Sequence, residues 1–310
     1  MKIIYFGTPE FAVPSLEALL EAGEDIISVV TQPDKLKGRG HKLSQPPVKE
    51  TALLRGIPVI QPSGIRIPEF FDQLAKLAPD IIVVVAYGRI IPTALLKLPP
   101  LGCVNVHASL LPQYRGAAPI QWALINGEAK TGITTMMIDE GLDTGDILLT
   151  EEVPIHEEDN VYTLGRRLSH AGASLLVKTL KGLENKTLKP VPQSGNVTYA
   201  PPLKKENGKI NWALSAREIS NLIRGTNPWP GAYCYLKGEK IHIMKAGALH
   251  DSNKGAAGCI NKISDGEIFV GTGEGILAVQ ELKPEGKKMM SASAFMHGRH
   301  LKEGATFEAL

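Results

Sequence analysis

Short apolar runs alternate with amphipathic runs through the first half of the chain. The apolar runs are typical of strands buried in a parallel sheet, and the amphipathic runs are typical of helices. The pattern predicts strands at Ile3–Phe6, Ile26–Thr31, Val59–Ile60, Ile81–Ala86, Cys103–His107, Ile133–Ile138 and Ile147–Leu149. It predicts helices at Phe11–Leu20, Pro47–Leu54, Phe70–Leu77, Pro119–Asn126 and Val161–Leu183. This alternation predicts a doubly wound, Rossmann-like α/β domain.

The pattern changes in the last third of the chain. Residues 189–206 are rich in Pro, Ser, Gly and Asn and predict a linker. Ser215 and Glu218 have the spacing of a capping box and predict a short helix over Ser215–Arg224. Alternating runs separated by Gly-containing turns then predict strands at 232–236, 240–244, 258–263, 267–271 and 275–282. The sequence therefore predicts an α/β domain at 1–188, a linker at 189–206 and a small OB-like β-barrel at 207–310.

Composition narrows the class of protein. The net charge is only +2, but residues 204–310 carry 15 Lys and Arg against 11 Asp and Glu, so the last third is the more basic part. The three cysteines are widely spaced, which supports neither a disulfide framework nor a zinc site. The longest apolar run, Ile81–Ala86, is far too short to span a membrane, and no targeting segment is evident. A cytoplasmic protein without membrane association is expected.

The first strand is followed by Gly7-Thr8-Pro9-Glu10. This turn matches neither the GxGxxG fingerprint of dinucleotide-binding proteins nor the phosphate-binding loop of ATPases. A nucleotide cofactor is therefore disfavoured. In open α/β sheets, ligands nevertheless bind at the carboxyl ends of the strands, so the ends of the predicted strands are the place to look for chemistry.

Asn105 and His107 form the strongest candidate site. They are two residues apart on a predicted strand, so their side chains face the same side. Buried polar groups left without a partner cost roughly 1–3 kcal/mol each, so a side-by-side amide and imidazole suggest a reaction site. A carboxylate from Asp139, Asp143 or Asp146 could orient the imidazole, and the residues alone do not choose among them.

Other chemistries at this position are disfavoured. Ser109 lies only two residues from His107 and is not in the GxSxG context of a serine nucleophile. The Gly- and Asp-rich stretch from Asp139 to Asp146 lacks the spacing of an EF-hand calcium loop. No metal site is therefore predicted.

Two basic clusters predict contact with a phosphate backbone. The first lies on a glycine-punctuated loop after the second strand, and the second follows the last predicted strand. Their cations are Lys35, Lys37, Arg39 and Lys42 in the loop, and Lys287 and Lys288 in the later segment.

The motifs together resemble the folate-dependent formyltransferases and, among them, the methionyl-tRNA formyltransferases. The resemblance covers essentially the whole chain. The motifs that carry it are Asn105–Pro112 (NVHASLLP), Tyr114–Ile120 (YRGAAPI), Gly141–Asp146 (GLDTGD), Phe6–Pro9 (FGTP), Thr31–Asp34 (TQPD), Gly38–Gly40 (GRG) and Asn227–Ala232 (NPWPGA). Gln113 is a departure, since the family more often has a basic residue there.

The resemblance implies the substrates and the roles of site residues. It implies 10-formyltetrahydrofolate as formyl donor, initiator methionyl-tRNA as acceptor, a catalytic domain related to glycinamide ribonucleotide formyltransferase, and a C-terminal OB-like barrel. A monomer is expected, and no metal or nucleotide cofactor is expected, because such a donor is already activated. It implies Asn105, His107 and Asp143 as the catalytic residues. The residues implied to contact folate are Ser109, Leu110, Leu111, Pro112, Gly88, Arg89, Ile90, Ile91 and Asp139. Arg39 and its neighbours are implied to engage the acceptor arm of the tRNA.

Three alternatives remain at this point. A related formyltransferase acting on a sugar-nucleotide amine or on glycinamide ribonucleotide would share the site but would not need the basic loop or the basic last third. A formyl-folate hydrolase would use water as acceptor. A non-catalytic nucleic-acid-binding protein would leave Asn105 and His107 unexplained.

Overall fold

A computed structural model describes residues 1–37, 42–250 and 255–308. The chain divides into two compact units, each built from several segments. The first unit comprises Met1–Pro119, Lys130–Pro154 and Gly165–Pro201. The second comprises Ile120–Ala129, Ile155–Leu164 and Pro202–Leu310.

The first part of the chain alternates strands and helices, as predicted. Its strands are β1 (Lys2–Gly7), β2 (Asp25–Val30), β3 (Lys35–Lys37), β4 (Lys42–Ser44), β5 (Val59–Ile60), β6 (Ile81–Val85), β7 (Cys103–His107), β8 (Lys130–Met137) and β9 (Ile147–Pro154). Its helices are α1 (Val13–Glu21), α2 (Pro47–Leu54), α3 (Pro68–Lys76), α4 (Thr93–Leu96), α5 (Pro119–Ile125) and α6 (Val161–Glu184). In the described ranges, no helix combines the length and apolar character needed to cross a membrane.

Seven strands form the central sheet of the first unit, in the order β5-β2-β1-β6-β7-β8-β9. The five strands from β5 to β7 are parallel, whereas β8 and β9 are antiparallel to their neighbours. The predicted α/β fold is thus confirmed for a sheet that is mainly parallel. The strand order reverses between β1 and β6, which is where open α/β sheets bind their ligands. The hairpin of β3 and β4 is a separate two-stranded sheet.

Among the described residues from Pro202 onward, the second unit contains an antiparallel sheet and two α-helices. Its elements are α7 (Ala216–Thr226), β10 (Ala232–Leu236), β11 (Glu239–Leu249), β12 (Ile260–Ser264), β13 (Glu267–Gly271), β14 (Ile276–Pro284), β15 (Met290–Ser291) and α8 (Ala292–Arg299). The predicted capping box is present, because Ser215 Oγ accepts from Glu218 N at 3.2 Å and Glu218 Oε2 accepts from Ser215 N at 2.8 Å. Helix α8 was not indicated by the sequence.

The antiparallel sheet runs in the order β10-β11-β14-β13-β12. Among the described residues, no strand pairing joins β12 directly to β10, so the predicted OB-like barrel remains a prediction. The segment Ala305–Glu308 lies against both edges of this path. Ile260 N donates to Ala305 O at 2.8 Å, and Tyr235 and Glu308 exchange backbone hydrogen bonds. Phe307, in the middle of the segment, is buried and stacks on Trp212 at 5.8 Å between ring centroids.

Candidate active site

Strand β7 places Asn105 and His107 near the carboxyl end of the sheet. Asn105 lies opposite Met136 of β8, and His107 lies opposite Thr134. His107 is buried, whereas Asn105 is only partly buried. Within the described ranges, no hydrogen bond of the Asn105 side chain is found. Its amide is therefore available to a ligand on the same side of the strand as His107.

The two nitrogens of the His107 ring face different groups. Nε2 lies 3.0 Å from Tyr114 O, and because a carbonyl oxygen only accepts, Nε2 carries a proton. Nδ1 lies 3.7 Å from Asp143 Oδ2, which is within ion-pair range but beyond hydrogen-bond length. Asp143 Oδ2 instead accepts from Gly116 N at 2.8 Å. The imidazole is thus held through Nε2, and its Nδ1 edge lies beside a carboxylate.

The turn between β8 and β9 supplies that carboxylate. Asp143 is in the left-handed backbone conformation, with φ of +51°. Asp139 is bound within the turn, where its carboxylate accepts from the hydroxyl of Thr144 at 2.7 and 2.8 Å. The turn is closed by Met137 N, which donates to Asp146 O at 2.9 Å. The structure therefore brings Asp143, of the three candidate aspartates, into ion-pair range of His107.

The segment after β7, Ser109–Pro112, folds back onto β8. Ser109 Oγ donates to Gln113 O at 2.6 Å, and Thr134 Oγ1 donates to Ser109 O at 2.7 Å. Leu111 N donates to the same Thr134 Oγ1 at 3.2 Å. The Ser109 hydroxyl is thus committed to its own turn and is not bonded to His107. The predicted folate-contacting segment is thus held against β8 by hydrogen bonds to Thr134.

The stretch interpreted as a linker contributes directly to this site. We call residues 191–200 the strap. At its start, Val191 and Ile147 exchange backbone hydrogen bonds at 2.8 and 2.9 Å. At its end, Ala200 N donates to Arg115 O at 2.7 Å. Both partners belong to the first unit, so the strap joins β9 to the turn that follows β7.

One side chain of the strap reaches the catalytic candidates. Gln193 Nε2 donates to Asp143 O and to Gly145 O, both at 2.8 Å. Gln193 Oε1 accepts from Arg115 Nη2 at 2.7 Å and from Arg115 Nε at 3.1 Å. Sequence reasoning missed Gln193, because it lies 50 residues from Asp143 in a stretch without periodicity.

The switch point of the sheet lies beside the second predicted folate-contacting segment, Gly88–Ile91. Tyr87 O, just before this segment, accepts from Thr8 Oγ1 and from Gln32 Nε2, both at 3.1 Å. These contacts link the carboxyl ends of β1, β2 and β6. Arg89 and Ile90 line an open cavity of about 450 Å³ together with residues 64–67. The Ile90 side chain is 73% exposed.

The basic loop is anchored at its base. Asp34 accepts from Lys49 Nζ at 2.8 Å and from Gln61 Nε2 at 2.8 Å. The hydrogen bonds from Lys49 and Gln61 lower the pKa of Asp34. Lys35 is exposed on β3. Of the other predicted tRNA-binding residues, Arg39 lies outside the described residues.

The remaining basic candidates lie on the β3–β4 hairpin and between two strands of the second unit. Lys37 ends β3 and Lys42 begins β4, and the two are paired in the hairpin. Lys287 and Lys288 are exposed between β14 and β15 of the second unit. Nowhere in the described part of the chain do three or more His, Cys, Asp or Glu side chains cluster as metal ligands would.

Family models match most of the chain. The formyl transferase model matches residues 1–180, and the model of the formyl transferase C-terminal domain matches residues 202–300. The chain is 54% identical to the methionyl-tRNA formyltransferase of Thermodesulfovibrio yellowstonii over 97% of each chain. It is 52% identical to that of Pelotomaculum thermopropionicum over 98% of this chain and 97% of the relative.

Solved structures show the same fold at lower identity. An N-formyltransferase from Helicobacter canadensis, in complex with folinic acid and dTDP-3-aminofucose, is 21% identical with a TM-score of 0.68, covering 90% of this chain and 99% of that one. HypX from Aquifex aeolicus, in complex with tetrahydrofolic acid, is 18% identical with a TM-score of 0.65, covering 98% of this chain and 48% of that one. A methionyl-tRNA formyltransferase from Clostridium thermocellum is 18% identical with a TM-score of 0.56, covering 80% and 94%.

Proposed function

The chain belongs to the formyl transferase family, among the methionyl-tRNA formyltransferases, and we propose that it transfers the formyl group of 10-formyltetrahydrofolate to the α-amino group of initiator methionyl-tRNA. The observation that carries the mechanism is the juxtaposition of Asn105, His107 and Asp143. A partly buried amide, an oriented imidazole and a carboxylate 3.7 Å from it meet at the carboxyl end of β7.

Transfer proceeds through a tetrahedral intermediate. The amino nitrogen of the acceptor bonds to the formyl carbon, and the carbonyl electron pair moves to the formyl oxygen. Asn105 Nδ2 donates to that oxyanion. The second donor is the Nδ1–H of His107 in its imidazolium form, in which both ring nitrogens carry protons, because Nε2–H is already bonded to Tyr114 O. Removing one such preorganised donor costs roughly 2.7–4 kcal/mol of transition-state stabilisation.

Asp143 accepts the proton that the attacking amine loses. One of its oxygens, Oδ2, is occupied by Gly116 N, while in the described part of the chain Oδ1 has no hydrogen-bond donor. Oδ1 is therefore free to accept a proton from the ammonium, directly or through one water. Collapse of the intermediate breaks the bond from the formyl carbon to N10 of the folate, and N10 takes up the proton that Asp143 accepted from the amine. The donor is already activated, so the chemistry requires no metal and no nucleotide.

Substrate binding follows the positions of the remaining predicted residues. Ser109–Pro112, Gly88–Ile91 and Asp139 hold the folate at the strand ends. The basic loop with Lys35, Lys37, Arg39 and Lys42, together with Lys287 and Lys288 on an OB-like C-terminal domain, contacts the tRNA backbone. The chain acts as a monomer in the cytoplasm. A sugar-nucleotide acceptor is not favoured. The relatives that are 54% and 52% identical over nearly their full length are methionyl-tRNA formyltransferases, not sugar formyltransferases.

The direct test is formyl transfer by the purified protein. It is incubated with 10-formyltetrahydrofolate alone, with charged initiator tRNA, and with a dTDP-amino sugar as the rival acceptor. Formylmethionyl-tRNA that forms only with the tRNA supports the proposal. Consumption of the donor without acceptor would instead identify a hydrolase, and formylation of the sugar would identify the related enzyme class.

The catalytic assignment is tested at Asn105. Asn105→Asp keeps the shape of the side chain and removes both N–H donors, so we expect turnover to fall about 100-fold or more. His107→Ala should cause a loss of the same order. Asn185→Asp, an exposed position at the end of α6, is the matched control and should leave turnover unchanged. Turnover near wild type in Asn105→Asp would refute the oxyanion role.

The acceptor assignment is tested separately at the basic loop. Arg39→Ala should weaken the binding of tRNA and leave the binding of folate intact, because a guanidinium contacts phosphate directly. Tryptophan fluorescence or calorimetry with each ligand measures the two affinities. An equal loss for both ligands would mean that the loop is a general cover for the site.

A further inference from the structure

The side-chain amide of Gln193 forms hydrogen bonds to two parts of the proposed active site, the turn that contains Asp143 and the turn after β7. Its two N–H donors go to Asp143 O and Gly145 O, and its carbonyl oxygen accepts from Arg115. A side-chain amide has two N–H donors and one oxygen acceptor. Every one of these is engaged, so the orientation of the amide group is fixed.

The turn that Gln193 holds contains a strained residue. Asp143 has φ of +51°, and a non-glycine residue in this region costs roughly 1–3 kcal/mol, which contacts with the surrounding structure must offset. Gln193 binds the carbonyl of Asp143 itself and the carbonyl two residues later. The first bond fixes the peptide plane that follows the Asp143 Cα, and the second holds the same turn two residues later. The backbone from which the Asp143 carboxylate projects toward His107 is thus held on its C-terminal side.

We infer that Gln193 is a positioning residue for Asp143, which places the carboxylate beside His107 without touching substrate. The inference rests on the proposed function. It goes beyond that function because the strap lies outside the motifs of the resemblance. Arg115 orients Gln193 in turn, and thus connects the turn after β7 to the turn after β8.

The backbone contacts of the strap allow this role to be separated from folding. Val191 pairs with Ile147, and Ala200 pairs with Arg115, through main-chain groups alone. These contacts persist when the side chain at position 193 changes. We therefore expect the strap to stay in place while the turn of Asp143 loses its two donors.

Two variants isolate the donor role. Gln193→Glu keeps the length and the acceptor for Arg115 but replaces both donors with an oxygen that repels the two carbonyls. Gln193→Met keeps the approximate volume and removes all four hydrogen bonds. Ser194→Ala, an exposed neighbour on the strap, is the matched control. We expect kcat to fall about 10–100-fold in both variants, since small misplacement of a reacting group has effects of this size, with KM for both substrates nearly unchanged.

A double-variant comparison asks whether Gln193 acts through Asp143. Asp143→Asn is expected to lose most activity, and adding Gln193→Glu should lower kcat less than twofold further. A full 10–100-fold additional loss would show independent action and overturn the inference. The pH profile of kcat should also change shape in Gln193→Glu, which a loss of folded protein alone would not cause.

A second readout does not depend on activity. The Gly116 amide, which donates to Asp143 Oδ2, should exchange its hydrogen faster in Gln193→Glu and Gln193→Met than in Ser194→Ala. Unchanged exchange at Gly116 together with unchanged kcat would refute the inference. Absence of formyl transfer by the wild-type protein would instead refute the proposed function, so the two failures are distinguishable.

Discussion

Gly116, in the turn after β7, lies against Ala200 of the strap, and Gly116→Ala tests that close approach. Gly116 has φ of +124°, a backbone conformation that residues other than glycine rarely adopt. A Cβ placed there would lie 2.7 Å from Ala200 O and 3.2 Å from Ala200 C. Both contacts are with backbone, so they cannot be relieved by a rotamer change. The strap or the turn must move by roughly half an ångström or more.

The expected cost has two parts. The backbone conformation costs roughly 1–3 kcal/mol for alanine. The forced displacement costs a further ~1–3 kcal/mol, as for other overpacked sites. We expect a total of roughly 2–6 kcal/mol, which corresponds to about 4–24 °C in Tm for a unit of this size. Gly56→Ala is the control, because its φ is +69° and nothing lies within 4 Å of the added Cβ, so only the backbone part, roughly 1 kcal/mol and 2–4 °C, applies.

The catalytic rate should differ between Gly116→Ala and Gly56→Ala even more than their stability does. Gly116 N donates to Asp143 Oδ2 at 2.8 Å, so displacement at Gly116 moves the carboxylate. We expect kcat to fall about 100-fold in Gly116→Ala and to be unchanged in Gly56→Ala. Thermal unfolding by circular dichroism and single-turnover formylation measure the two effects. Equal Tm values and equal kcat in the two variants would refute the argument that the strap is in tight contact with the site.

Other predictions address stability and reactivity elsewhere. Phe307→Ala removes a buried ring stacked on Trp212 and should lower the free energy of unfolding by about 3–5 kcal/mol in urea titration, whereas a near-neutral result would mean that the terminal segment is not part of the core. Burial raises the pKa of Cys103 to about 12, so iodoacetamide at pH 8 should modify the less buried Cys259 in the native protein and Cys103 only after unfolding; equal native rates would contradict this. Hydrogen bonds from the N-cap serine lower the pKa of Glu218, so its stabilising effect should be present above the unfolded carboxyl pKa of about 4.3 and lost as the pH falls through the lower folded value. The Tm difference between wild type and Glu218→Gln should therefore shrink from pH 6 to pH 3, and a constant difference would exclude the linkage.

Much of the fold could be predicted because local pattern and tertiary structure agree. Strand β7 and helix α2 have the predicted bounds, since a strong apolar run and a proline-initiated amphipathic run leave little ambiguity. The direction of β8 and β9 could not be predicted, because apolar periodicity shows which face is buried but not which way a strand runs. Helix α8 was missed because Ala, Ser and Gly give it only a weak apolar periodicity.

The candidate site was predictable to a similar extent. Asn105 and His107 were identified from their spacing on one strand, which is a local signal. The choice of Asp143 over its neighbours depended on the family motif, because the shape of a turn decides which carboxylate points inward. Gln193 had no signal in the sequence, since its partners are 50 and 48 residues distant and its composition context resembles a linker.

The strap also bears on how such enzymes can be recombined. A module cut where the composition changes, at residue 188, would carry Asn105, His107 and Asp143 but would lose Gln193 and Ala200. Genetic exchange that joins this chemistry to a different acceptor-binding domain should therefore succeed only at crossovers beyond Ala200. We expect chimaeras joined at residue 201 to retain formyl transfer to a small amine, and chimaeras joined at residue 188 to fold their sheet and transfer poorly.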